Sequence, residues 1–282
     1  MKLVSFEFFS ERAARPGLLV DDAILDLTPL GVPDATSSIA VGATALRQAM
    51  EMPDTSRISV SSVHLLAPIP RPSRIFCVGL NYRDHAVESK MEIPKVPTIF
   101  IKLPSAVIGP NEPVRIPAVT KQPDYEVEFA IVVGKAGRNI AKEDWQEHVF
   151  GYTILNDVSA RDVQLATSQW ILGKSFDTFC PLGPAIVSHD EIPDPHSLDI
   201  RLSIGGEVLQ HSNTRELIFK APDLISYISS VTELQPGDII STGTPAGVGL
   251  GRNPQRWLQP GETMVAEVEG LGQLINPVVA GD

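Results

Sequence analysis

Glu126 and Glu128 stand two apart at the head of the run Glu126-Val127-Glu128-Phe129-Ala130-Ile131-Val132-Val133. Side chains alternate along a strand, so both carboxylates face one side, roughly 6–7 Å apart. Two carboxylates entering an apolar run repel each other, burial sharpens the repulsion, and a divalent cation relieves it. Taken alone, the pair reads more simply as a solvated strand end with Lys121 or an arginine as counter-charge. Asp157 shifts that balance. It closes the apolar run Phe150–Leu155 just after Asn156, where a strand end projects a side chain into a pocket. Three carboxylates with water suit Mg²⁺ or Mn²⁺, and suit zinc poorly with no Cys or His beside them. Asp157 also reads as a cap for the segment that follows.

His85 and Glu88 have i,i+3 spacing and share one face of a helical turn. A carboxylate beside imidazole raises its basicity and fixes its tautomer, as a general base requires. Spacing alone makes this an exposed ion pair. Lys174 sits in the apolar stretch Trp170–Phe176 and either snorkels outward or holds an anion. Arg161 and Gln164 share a helical face after Asp157, and Thr242-Gly243-Thr244-Pro245 offers hydroxyls and close backbone approach. Gly173-Lys174-Ser175 lacks the first glycine of a P-loop, since position 168 is Ser168. Gly247, Gly249 and Gly251 lack dinucleotide spacing, and neither HExxH nor GxSxG occurs. His64, His148, His189, His196 and His211 read as surface or capping residues.

The elements that must position these groups are short. The chain has 282 residues, with 24 prolines and 21 glycines spread along it, which favours short strands and turns over long helices. A net charge of −11 makes nucleic acid and anionic membrane surfaces poor partners. No apolar run is long enough to cross a bilayer, and Glu7 interrupts any signal-peptide core, so the expectation is a cytoplasmic protein. Cys77 and Cys180 read as buried thiols. Residues 1–72 are expected to form a small β-rich domain, with a hairpin turning at Asp21-Asp22 and a helix over Ala43–Met52. The proline-rich Ala67–Pro72 then leads into a strand-rich roll or sandwich over 73–282, α+β in class. Strands are expected at Arg74–Gly79, Thr98–Ile101, Glu126–Val133, Tyr152–Leu155, Ala185–Val187, Leu198–Ile204, Ile239–Ser241 and Thr263–Val268. Short helices are expected at Lys142–His148, Ala160–Ser168 and Ala221–Ser229, the second opened by a capping box of Ser159 and Asp162. Leu234-Gln235-Pro236-Gly237 recurs as Leu258-Gln259-Pro260-Gly261, two type II turns feeding strands.

Five segments together closely resemble the fumarylacetoacetate hydrolase family. They are Val78–Glu88, Asp124–Glu128, Asn156–Gln164, Gly173–Pro181 and Ser241–Gly249, in family order across 73–282. The resemblance implies a mixed β-roll, a homodimer and an Mg²⁺ (or Mn²⁺) site held by Glu126, Glu128 and Asp157. It implies His85 with Glu88 as the base dyad on a lid segment, Lys174 near the metal, and Arg161, Gln164 and Thr244 along the substrate site. The chain is shorter than the namesake and is similar to the acylpyruvase and diketo-sugar-acid hydrolase branch. The expected reaction is metal-dependent hydrolysis of a C–C bond in a 2,4-dioxo acid. His85 would activate water and Lys174 would stabilise the pyruvate enolate. Oxaloacetate decarboxylation, keto–enol isomerisation and ureidoglycolate lyase chemistry use the same platform. A non-catalytic 2-oxo-acid-binding protein is the reading from another class.

Overall fold

Burial on both faces explains the central strand of the protein. In the computed structural model, which describes residues 1–51 and 57–281, all of Val127–Val133 is buried. Val127, Phe129, Ile131 and Val133 pack in one core with Ile200, Leu202, Leu224 and Ile228. Ala130 and Val132 pack in a second with Leu3, Leu18, Ile39 and Leu155. A strand covered on both faces reads as a continuous apolar run, and each fully buried aliphatic side chain contributes about 1.5–3 kcal/mol. Glu126 and Glu128 have the parity of Ala130 and Val132, so they open on that second side.

Among the described residues, twelve strands make one mixed sheet. From one edge its path runs Arg57–Ser59, Ala23–Asp26, Glu11–Val20, Lys2–Phe8, Cys180–Ser188, Val149–Asn156, Val127–Val133, Ile239–Ser241, Ile75–Gly79 and Thr98–Lys102. Val63–Leu66 and Val107–Ile108 pair off this path. A five-stranded sheet (Glu207–Asn213, Asp199–Ile204, Thr263–Val268, Gly272–Ala280, Val114–Ile116) packs with the helix Ala221–Val231 against the first core. The fold is mostly β with short helices, as expected. Cys77 and Cys180 are free and buried.

The local turn chemistry holds. Val20 pairs with Ala23 across Asp21-Asp22, and Asp21 takes φ 53°. In the two Pro-Gly turns Gly237 and Gly261 have φ 86° and 94°. Asp238 and Glu262 donate back to Gln235 and Gln259. The helix near position 43 spans Ala43–Met50, and the expected end at Met52 lies outside the described residues. Ahead of it, an unforeseen helix Ala35–Val41 is capped by Asp34, which accepts from Ser37 N at 2.7 Å. The strands Lys2–Phe8, Glu207–Asn213 and Gly272–Ala280 were also not anticipated.

The expected capping box at Ser159 is not formed. The helix is a single turn, Arg161–Gln164, because Ser159–Ala160 pairs as a strand with Pro123–Asp124. Ser159 Oγ donates to Asp157 O, and the Asp162 carboxylate accepts from Thr120 Oγ1 and Lys121 N. The first strand Lys2–Phe8 pairs directly with Cys180–Ser188 (Lys2 opposite Val187, Leu3 opposite Ile186). The sheet therefore runs uninterrupted across the boundary expected at residue 72.

Candidate active site

Register brings the carboxylates together. Val127 lies opposite Asn156, Asp157 N donates to Glu126 O at 2.8 Å, and Asn156 Oδ1 accepts from Glu126 N at 3.0 Å. Glu126, Glu128 and Asp157 are all buried, and each offers a carboxylate oxygen within 4.8 Å of the others. Lys174 Nζ bridges Glu126 Oε2 at 2.6 Å and Asp157 Oδ2 at 2.7 Å. Arg161 Nη2 lies 2.6 Å from Glu126 Oε1, and Lys102 Nζ donates to Asp157 Oδ1 at 2.6 Å. The counter-charges come from these three groups, whereas Lys121 Nζ donates to Ala118 O.

Glu128 has no such cation. Its Oε2 accepts from Ser241 Oγ at 2.5 Å and Gly243 N at 2.9 Å. Burial, then Asp157 and Glu126, push its carboxyl well above the usual carboxylate range. Burial acts on Glu126 the same way, but Arg161 and Lys174 outweigh it and hold Glu126 below its ordinary value. Burial disfavours the Lys174 ammonium, yet Asp157 and Glu126 raise its pKa, so it stays charged. An all-oxygen donor set of three crowded carboxylates, one of them without a cation, fits a hard divalent cation, Mg²⁺ or Mn²⁺.

His85 and Glu88 meet as the spacing allows. They lie on the helix Arg83–Ser89 with His85 Nδ1 3.0 Å from Glu88 Oε2. Glu88 Oε1 accepts from Gly247 N at 2.9 Å. Gly247 has φ 103°, and a Cβ there would lie 2.1 Å from Leu209 O, so only glycine brings this N–H to the dyad. Asp84 Oδ2 accepts from Ser212 Oγ at 2.5 Å and ties the other end of the turn to the five-stranded sheet. With Nδ1 engaged by Glu88, Nε2 is the nitrogen free to exchange a proton with a ligand.

Dyad and carboxylates line one cavity of about 540 Å³. His85, Glu88, Glu126, Glu128, Arg161, Gln164, Lys174 and Thr244 all reach it; Asp157 lies behind Lys174 and is not among the lining residues. Arg161 Nη1 donates to Gln164 Oε1 at 3.0 Å, which orients the amide so that its NH₂ is the free end. Thr244 Oγ1 is engaged by Val127 O and Gln210 Nε2. The opposite wall is apolar, with Trp170 edge-on to Phe100 at 5.5 Å and the Lys174 ammonium 5.2 Å from the Phe100 ring centroid. Sequence reasoning missed Lys102, Asp124 and Ser241. Asp124 and Ser241 open two of the family-resembling segments, and Lys102 carried a signal of its own as the one charge in the apolar strand Thr98-Ile99-Phe100-Ile101-Lys102.

A mostly β fold that gathers a buried carboxylate cluster and a His–Glu pair on one cavity has the layout of an enzyme site. The chain belongs to the fumarylacetoacetate hydrolase family: the family described as "Fumarylacetoacetate (FAA) hydrolase C-terminal" matches residues 74–279. It is 44% identical to "Oxaloacetate tautomerase fahd2, mitochondrial" of Xenopus laevis over 288 residues, 99% of this chain and 90% of that protein. The solved structure of fumarylacetoacetate hydrolase from Exiguobacterium antarcticum is 37% identical with TM-score 0.87 and full coverage of both chains. Maleylpyruvate hydrolase from Sphingobium, solved with manganese(II) and pyruvate, is 34% identical with TM-score 0.85, again over both whole chains. The cytoplasmic expectation is overturned, because the tautomerase relatives are mitochondrial by name. Net charge and one early acid speak to solubility and to secretion, and neither identifies an organelle.

Proposed function

We propose that the chain interconverts the keto and enol forms of a short 2-oxo diacid of the oxaloacetate type. The observation that carries this reading is the His85–Glu88 contact at 3.0 Å on the same cavity as the carboxylate cluster. The tautomerase names of relatives over 40% identical support the substrate class. A divalent cation held by Glu126, Glu128 and Asp157 would act there as a Lewis acid toward the substrate's carboxylate and 2-oxo oxygens. His85 Nε2 takes a proton from C3 of the keto form, and the electron pair moves into a C2–C3 double bond. The Lys174 ammonium, held by Glu126 and Asp157, stabilises the charge that develops on the 2-oxo oxygen. Return of that proton from the His85 ring to the oxygen completes the enol, and the reverse sequence returns the keto acid. Arg161 and the Gln164 amide donate to the substrate's carboxylates, and the Phe100–Trp170 wall keeps water from the reacting carbon.

The test is ultraviolet decay of enol-oxaloacetate with Mg²⁺, with EDTA, and with His85→Ala. Metal-dependent acceleration that His85→Ala removes supports the reading. Acceleration that persists without His85 sinks it. Hydrolysis of a 2,4-dioxo acid is the second reading, favoured by the likeness to maleylpyruvate hydrolase with bound pyruvate. In that case His85 deprotonates water, and pyruvate appears with an equimolar carboxylic acid. The reading includes a homodimer through the open edge strand Thr98–Lys102, where Ile101 and then Leu103 are exposed. Light scattering checks it.

A further inference from the structure

Asp124 is fully buried, and its carboxylate accepts four hydrogen bonds, three of them from two distant parts of the chain. From the carboxylate side, Arg161 Nε donates to Oδ2 at 2.8 Å, and the same guanidinium pairs with Glu126. From the dyad side, Gly249 N donates to Oδ1 at 2.7 Å and Leu250 N to Oδ2 at 3.0 Å. Tyr125 N supplies a fourth bond, to Oδ1 at 2.9 Å. The 247–251 segment held in this way is the one whose Gly247 N–H holds Glu88, and Gly251 packs against the Glu88 side chain.

We infer that Asp124 is a positioning residue that sets the distance between the His85–Glu88 dyad and the Glu126–Lys174 side of the cavity. Two observations carry this. The cluster and the dyad have no direct hydrogen bond among the described residues, so their spacing passes through intervening groups, Tyr125 Oη to Gly247 O at 3.2 Å among them. Asp124 is a buried carboxylate bonded to both, through Arg161 on one side and through Gly249 and Leu250 on the other. A carboxylate accepts all four donors, whereas an amide has one oxygen and would turn an N–H toward Arg161 or Leu250. The inference rests on the proposed acid–base use of the dyad, but its structural half does not.

Hydrogen exchange and kinetics on Asp124→Asn separate the two. Amides of Gly249 and Leu250 lose protection in any case, because their acceptor is changed. The expected signature is loss of protection at Gly247, which touches Glu88 and not Asp124. With enol-oxaloacetate, kcat falls about 10²-fold with KM within about threefold, the loss expected of a misplaced group rather than of a lost binding contact. In the Glu88→Gln background Asp124→Asn adds little further loss, because both act on one dyad. Gly247 protection unchanged, or losses that multiply in the double variant, overturns the inference. If the wild-type enzyme accelerates no tautomerisation, the function fails while the exchange pattern still decides the support. Should Asp124→Asn not fold, Asp124→Ser is read by the same Gly247 amide.

Discussion

Lys102 Nζ donates to Asp157 Oδ1 at 2.6 Å while Lys174 Nζ donates to the other oxygen at 2.7 Å, so one buried carboxylate is clasped by two ammonium groups. Lys102 also donates to Val158 O at 3.2 Å and to Lys174 O. It thus fixes the backbone that carries Lys174. Lys102→Met removes the charge and leaves Asp157 half-paired and two buried carbonyls short of a donor. Urea unfolding should show a loss of about 3–5 kcal/mol, the range for breaking one side of a buried pair. A change under 1 kcal/mol would mean that the clasp is not needed for stability.

Glu128 stands in the opposite situation, crowded by Asp157 and Glu126 without a cation of its own. In Glu128→Gln the amide oxygen still accepts from Ser241 and Gly243, and the repulsion disappears. The metal-free chain should gain about 0.5–2 kcal/mol, as expected when a functional site gives up its strain. Mg²⁺ or Mn²⁺ should raise the Tm of the wild type and not that of this variant, which thermal melts with and without EDTA would read.

His85→Ala should lower kcat about 10²–10⁴-fold, the range for general acid–base groups. His85 and Glu88 have only 15% and 18% of their side-chain surface exposed, yet they sit on a cavity wall outside both apolar cores. Tm should therefore move little. Paired melts and initial rates check both halves of this expectation.

His196 Nε2 accepts Ala221 N–H at 3.2 Å in the first turn of Ala221–Val231, which only the neutral ring can do. Burial and then Lys220 lower its pKa below 6.5, against the opposing pull of Asp194 and Asp223. Above that value both folded and unfolded rings are neutral, and the contribution to stability is complete. As pH falls below it, the unfolded chain takes up a proton that the folded ring resists, and stability is lost. The urea midpoint difference between wild type and His196→Gln should shrink between about pH 7.5 and about pH 5.5. A constant difference would contradict this.

The strand Cys180–Ser188 uses its outer edge to pair with Lys2–Phe8. Cutting the chain after residue 72 bares that edge, together with apolar surface now covered by Leu3, Leu18, Ile39 and Leu46. We propose that residues 73–282 alone aggregate on expression, and that co-expressed 1–72 restores solubility. A soluble, monodisperse 73–282 fragment would show that the amino-terminal strands are dispensable.

What the sequence determined by itself is local. Strand alternation put Glu126 and Glu128 on one side, helical spacing joined His85 to Glu88, and Pro-Gly pairs marked both type II turns, because each depends on neighbours a few residues away. The motifs also sufficed for the family and its mostly β fold. Charge balance in the site was not legible in this way. The groups that answer Glu126, Glu128 and Asp157 arrive from Lys174, Gly243 and Lys102, separated by 48, 115 and 55 residues. The Gly247 N–H that holds Glu88 comes from 159 residues away. The capping box at Ser159 failed for the same reason: pairing with Pro123–Asp124 satisfied the backbone there before a helix could begin. Only the closed sheet decides which distant donor meets which carboxylate, since a buried charge takes whatever partner the packing delivers, and no periodicity in the chain encodes that choice.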